Sequence, residues 1–132
     1  MKAFSWLSAF SIGLLFCLLP AQAARDGQTQ PSPTPQMELV VLEVEGCVYC
    51  GVFRRRHLEN YKASRQGKKI PIRFVDINDP ALGNIGLTQP VGIVPTFIVL
   101  KNNEEIGRIP GLVSHHDFYR AIEHITKGVD GF

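Results

Sequence analysis

Leu39-Val40-Val41-Leu42-Glu43-Val44-Glu45-Gly46-Cys47-Val48-Tyr49-Cys50-Gly51 is the stretch on which the reading of this chain turns. Its first six residues are a β-branched and aliphatic run, the signature of a short buried strand. Beyond Cys50 the pattern becomes helical: Phe53, His57 and Tyr61 share one stripe, with Leu58 beside it. Two cysteines with two residues between them therefore stand at a strand-to-helix junction. The first thiol falls where free backbone N–H groups and the helix dipole favour an anion, and the thiolate is the reactive form of cysteine. The second lies about one helical turn further on, within reach for a small disulfide ring.

Upstream, residues 1–23 read as a secretory signal peptide. Lys2 supplies the positive charge, Ala3 to Leu19 is mostly apolar, Pro20 breaks the run, and Ala21-Gln22-Ala23 has the small-x-small form of a cleavage site. The alternative is an uncleaved anchor, since ~17 apolar-rich residues approach the ~20 that span a bilayer. Either way the domain is expected outside the cytoplasm, in a bacterium in the periplasm. Cleavage removes Cys17 and leaves two cysteines, Cys47 and Cys50, in about 109 residues, enough for one domain and a linker. The formal charge of +2 drops to about +1 without Lys2, too near neutral to imply a nucleic-acid partner. Residues 24–36 carry three prolines between Arg25 and Gln36 and no large apolar side chain, so they are expected to be a flexible tether. The folded domain is placed at 37–128.

Downstream, the amphipathic helix is expected to run from Val48 to Arg65 and to stop at Gln66-Gly67-Lys68-Lys69. Ile70 to Asp76 reads as a second strand. Asp79 to Gly92, rich in glycine and proline, reads as a loop with at most one helical turn. Ile93 to Leu100 and Glu105 to Ile109 form a hairpin about Lys101-Asn102-Asn103-Glu104. Ser114-His115-His116-Asp117 resembles a capping box, opening a last helix with Phe118, Ile122 and Ile125 on its apolar face. The order is β-α-β, loop, β-β-α, an α/β class.

This arrangement resembles the thioredoxin superfamily in its minimal form: a strand entering Cys47-Val48-Tyr49-Cys50, a helix leaving it, and Val94-Pro95-Thr96 before a hairpin and a final helix. Within it, Gly46-Cys47, Pro95-Thr96-Phe97 and Ile106-Gly107-Arg108-Ile109 are most similar to the small periplasmic SoxS-type proteins of sulfur-oxidation clusters. Phe53 departs from that pattern, which leads one to expect tryptophan three residues after the second cysteine. The resemblance implies a cis bond before Pro95. It also implies a substrate edge at Val94, Pro95 and Thr96, and a protein disulfide or mixed disulfide as substrate, such as one on a sulfur-oxidation carrier. A membrane thiol donor would supply the electrons.

Cys47 is then the expected nucleophile and Cys50 the resolving thiol. A purely structural disulfide is the alternative, but a ring this small closes almost no loop and would constrain the unfolded chain very little. Tyr49 could offer an aromatic contact to a partner. Arg54, Arg55 and Arg56 read as a solvated basic face. The family's buried proton-relay acid would fall at Val41. Glu43 shares that strand parity and could take the proton from Cys50, the alternative being an exposed acid at the strand end. Two further readings use the same cysteines: an oxidant or isomerase, and a copper(I) chaperone. His57, His115, His116 and His124 raise the metal question, but Gly51 stands where haem attachment needs histidine. The expectation is no metal, no small-molecule cofactor and a redox-active disulfide.

Overall fold

A computed structural model describes residues 36–129. The expected signal peptide and, apart from Gln36, the expected tether lie outside the described residues. Strands β1 (Met37–Glu43), β2 (Ile72–Asp76), β3 (Thr96–Lys101) and β4 (Glu104–Pro110) form one sheet in the order β2-β1-β3-β4. β1 and β2 are parallel, joined by a crossover containing α1 (Val48–Arg56), α2 (Leu58–Ala63) and α3 (Arg65–Lys69). β3 is antiparallel to both β1 and β4, and α4 (His115–Thr126) closes the chain. This is the β-α-β, then β-β-α, order read from the sequence.

Strand alternation divides the apolar residues into two layers. Leu39, Val41, Phe97, Val99 and Ile109 face the helices and pack with Phe53, Leu58, Tyr61, Phe118 and Ile122. Val40, Leu42, Val75, Ile98 and Leu100 face the other way. They are covered by Ile77, Leu82, Ile85, Leu87 and Val91 of the connection between β2 and β3, whose only regular element is a single 3-10 turn at Pro80–Asn84. On the helix side, α4 lies directly on β4: a Cβ at Gly107 would stand 2.7 Å from a methyl carbon of Ile125.

The crossover departs from the expected single helix. His57, distorted to φ −119° within the right-handed helical region, separates α1 from α2, and Ser64 is extended at φ −69°, ψ 161°. The Ser64 hydroxyl donates to the Tyr61 carbonyl at 2.6 Å and accepts the Gly67 N–H at 3.0 Å, so it caps α3. Gly67 is therefore interior to α3 and not a stop. Glycine is needed because a Cβ there would meet the Tyr61 carbonyl oxygen at 2.0 Å. β2 also starts at Ile72 rather than Ile70, because the Ile70 N–H is still committed to the Gln66 carbonyl at 2.8 Å.

The β3–β4 hairpin turns at Asn102 and Asn103, both at positive φ (51° and 69°), the primed geometry whose twist suits tight hairpins. Val99 pairs with Gly107 and Leu100 with Glu105, leaving Ile106 as the extra residue of a β-bulge.

Candidate active site

Cys47 occupies the N-cap of α1, and its Sγ accepts the Cys50 N–H at 3.2 Å. The preceding Gly46 turns the chain at φ 78°. No acidic residue lies in the first turn of α1, so the positive end of the helix is not offset there. Cys47 and Cys50 are joined as a disulfide with Cα atoms 5.3 Å apart. Their exposure differs: Cys47 is partly exposed, whereas Cys50 is 3% exposed and packed into the base of the helix. Val48 and Tyr49 between them are 72% and 63% exposed, an apolar rim around the sulfur pair.

The Val94–Pro95 peptide is cis, as the resemblance implies. Register places it at the same end of the sheet as the cysteines, since Thr96 pairs with Leu42 near the end of β1. Pro95 and Thr96 are buried and Val94 is half-buried. The Thr96 hydroxyl donates to the Ile93 carbonyl at 2.6 Å, and the Pro95 carbonyl accepts the Gly111 N–H at 2.8 Å. The backbone N–H and carbonyl of Val94 have no hydrogen-bond partner among the described residues. Ile93 beside it is 53% exposed.

Glu43 ends β1 on the same face as Val41 and lines a cleft with Glu45, Cys47, Cys50, Gly51, Arg55 and Asp76. It is neither a free acid nor a deeply buried one. Arg54 donates to it through two nitrogens, Nε at 3.1 Å and Nη2 closer still, and the Glu43 side chain keeps a fifth of its exposure. The same guanidinium lies 3.5 Å over the Phe74 ring. Arg54 is thus a site residue that the sequence reading assigned to a solvated basic face. Its only sequence signal is position one turn beyond Cys50, and its partner on β1 depends on how helix and strand pack.

Phe53, where the resemblance leads one to expect tryptophan, is 1% exposed and packs edge-on against Phe97 with ring centroids 4.7 Å apart. It fixes the underside of α1 to the sheet. His57 stacks between Phe53 and His115; burial first, and then the positive potential of His115 and Arg56, pushes its pKa down. Neither His57 nor His115 lines the cleft at the sulfurs. Among the described residues no group of three or more His, Cys, Asp or Glu is placed to hold a metal ion. Nor is any helix there long and apolar enough to cross a membrane.

No protein-family model matches the chain, and no curated protein matches it. Solved structures do. The periplasmic thioredoxin SoxS from Paracoccus pantotrophus, in its reduced form, is 25% identical, with a TM-score of 0.64 over 67% of this chain and 94% of that one. The Malassezia sympodialis thioredoxin is 17% identical, with a TM-score of 0.54 over 69% of this chain and 76% of that one. The Fasciola hepatica thioredoxin, also 17% identical, has a TM-score of 0.51 over 69% of this chain and 83% of that one. The last two share the fold; the first shares it along nearly its whole length at higher identity. The chain thus has a thioredoxin-like fold with a cysteine pair capping the helix that follows the first strand, the arrangement of a thioredoxin-like thiol–disulfide oxidoreductase.

Proposed function

We propose that the chain is exported and works in the periplasm as a reductant of protein disulfides or protein mixed disulfides. The observation that carries the chemistry is the asymmetry of the pair: a partly exposed Cys47 capping α1 and a buried Cys50 one turn below it. In the dithiol form, the Cys47 thiolate attacks a substrate sulfur. One substrate thiol leaves, and Cys47 holds the other half as a mixed disulfide. Cys50 then loses its proton and attacks the Cys47 sulfur, which breaks the mixed disulfide, releases the second thiol and leaves the Cys47–Cys50 bond. Two electrons pass to the substrate in each cycle, and a membrane thiol donor restores the dithiol.

The backbone of Val94, unpaired among the described residues, is the edge on which an extended substrate segment pairs. Pro95 sets that edge, and Thr96 holds it through its bond to Ile93. Tyr49, exposed between the two cysteines, offers its ring to the partner. Glu43, lining the cleft with Cys50, takes the resolving proton, and Arg54 holds it in place. The likeness to a periplasmic SoxS supports the export reading, and a sulfur-oxidation carrier is the substrate that the sequence resemblance implies.

The test is the reduction potential of the pair, read against a dithiothreitol or glutathione series, together with trapping by Cys50→Ser. A potential at or below about −250 mV is expected of a reductant, with a protein captured on Cys47 and none captured by Cys47→Ser. A value near about −120 mV would make the chain an oxidant. Tight one-to-one copper(I) binding lost in Cys50→Ser, without thiol exchange, would replace the reading with metal carriage.

A further inference from the structure

The segment leading into Val94 and Pro95 is held by an ion pair on β4 that the chemistry above does not use. The Glu105 side chain is 3% exposed and that of Arg108 14%, although both are charged and sit on an outer strand of the sheet. Arg108 donates through Nε and Nη2 to the two Glu105 oxygens, each at 2.5 Å. Its remaining reach goes to the backbone of the preceding loop: Nη2 to the Gln89 carbonyl at 3.0 Å and Nη1 to the Pro90 carbonyl at 3.2 Å. Glu105 completes the set by accepting the Thr88 N–H at 2.8 Å. One fork-shaped pair therefore grips three consecutive residues, Thr88, Gln89 and Pro90. A guanidinium can satisfy four acceptors at once in this way, and an ammonium cannot.

The bulge makes this grip possible. On a regular strand, residues three apart face opposite sides. The extra residue Ile106 brings Glu105, opposite Leu100, and Arg108, opposite Ile98, onto one face, the face covered by the loop and not by helices. Downstream the same segment is pinned again, by Thr96 to Ile93 and by Gly111 to Pro95. Val91 to Val94 is thus a short span fixed at both ends.

We propose that the Glu105–Arg108 pair positions the Val94 edge, so that it sets how well the enzyme engages extended protein substrates without acting on the sulfurs. Both are positioning residues. This rests on the reading of Val94 and Pro95 as the docking edge. It also separates two kinds of substrate. A protein disulfide has to pair along Val94, whereas a small disulfide needs only access to Cys47.

The experiment compares the wild-type chain with Arg108→Met, which keeps the apolar stem and removes the fork. Each is assayed with insulin and with hydroxyethyl disulfide as oxidised substrates and dithiothreitol as donor. Displacing a docking element by about 1 Å can cost up to ~100-fold, so R108M is expected to lose ~10- to 100-fold in kcat/KM on insulin, mostly through KM. Its rate on hydroxyethyl disulfide and its reduction potential are expected to stay at the wild-type values. Arg108→Lys keeps charge and stem and guards against a folding failure of R108M; it is expected to fall between the two on insulin alone. Equal losses on both substrates, or an unchanged insulin rate in both folded variants, would overturn the positioning role. A wild-type chain that reduces neither substrate would instead remove the oxidoreductase reading beneath it.

Discussion

The two faces of the sheet are built by different means. One carries α1, α2 and α4 and is filled with rings: Phe53, Phe97 and Phe118 meet with centroids 4.7 to 5.5 Å apart, and Tyr61 packs on Phe118 at 5.7 Å. The other carries a connection with one 3-10 turn, a thinner layer of aliphatic contacts and a partly buried ion pair gripping backbone. The helix face anchors Cys50 through α1, whereas the loop face positions Val94 and Pro95. Apolar packing holds what must be rigid underneath the cysteine pair. Directional polar bonds hold an irregular segment that has no periodic face to bury.

Truncation should show the difference most strongly. Phe118 is 4% exposed and touches Phe53, Phe97, Tyr61 and Tyr119. Removing such a ring leaves a cavity that its neighbours cannot fill, and Phe118→Ala is expected to cost about 3–5 kcal/mol in denaturant unfolding. Ile85 on the loop face is 8% exposed and belongs to the thinner layer, so Ile85→Ala should cost about 2 kcal/mol, at the low end for its type. Equal losses would mean that the loop layer is packed as tightly as the helical one.

The sequence carried the helix face and the cysteine site more fully than it carried the loop face. The strand runs, the cysteine pair at a helix start and the Ser114 cap rest on local patterns, which can be read one segment at a time; the cis bond before Pro95 is implied by the family resemblance. Phe53, Tyr61, Phe118 and Ile122 were on the expected stripes. The breaks at His57 and Ser64 were not legible. Ser64 caps Gly67 without an acidic residue to flag it, and Gly67 is required by the approach of the Tyr61 carbonyl, which is a tertiary fact. The Glu105–Arg108 pair was hidden because reading β4 by alternation puts the two on opposite faces, and only the bulge unites them. Arg54 was hidden for a related reason: its partner Glu43 is on β1, and only the packing of α1 against the sheet brings them together.

The faces should also differ in their response to acid. The hydrogen bonds from Arg108, helped by the Thr88 N–H and opposed by burial, hold the Glu105 carboxyl below the usual carboxylate range. In the unfolded chain the same group titrates near ~4.3. Its contribution to stability is therefore complete above that value and is lost as pH falls through the lower folded value. Urea midpoints taken downward from about pH 6 should fall less steeply for Glu105→Gln than for the wild type, with the two curves converging in acid. Phe118→Ala should shift the wild-type curve down without changing its slope. A Glu105→Gln curve parallel to the wild type would mean that the pair does not couple protonation to folding.

The smallest expected effect is a polar contact on the otherwise apolar face. Tyr61 is fully buried, and its hydroxyl donates to the Ile70 carbonyl at 2.8 Å, where the crossover returns to the sheet. Burial, with Tyr119 adding to it, raises the pKa of that hydroxyl, so it remains a donor across the working range. Tyr61→Phe keeps the ring and leaves one carbonyl unpaired, for a loss of about 1 kcal/mol. Unlike Arg108→Met, it should reduce insulin and hydroxyethyl disulfide turnover equally or not at all, because Ile70 lies at the far end of β2 from the sulfurs and holds no part of the Val94 edge. A substrate-selective loss in Tyr61→Phe would show that the crossover also reaches the docking edge, and the division of labour between the two faces would then fail.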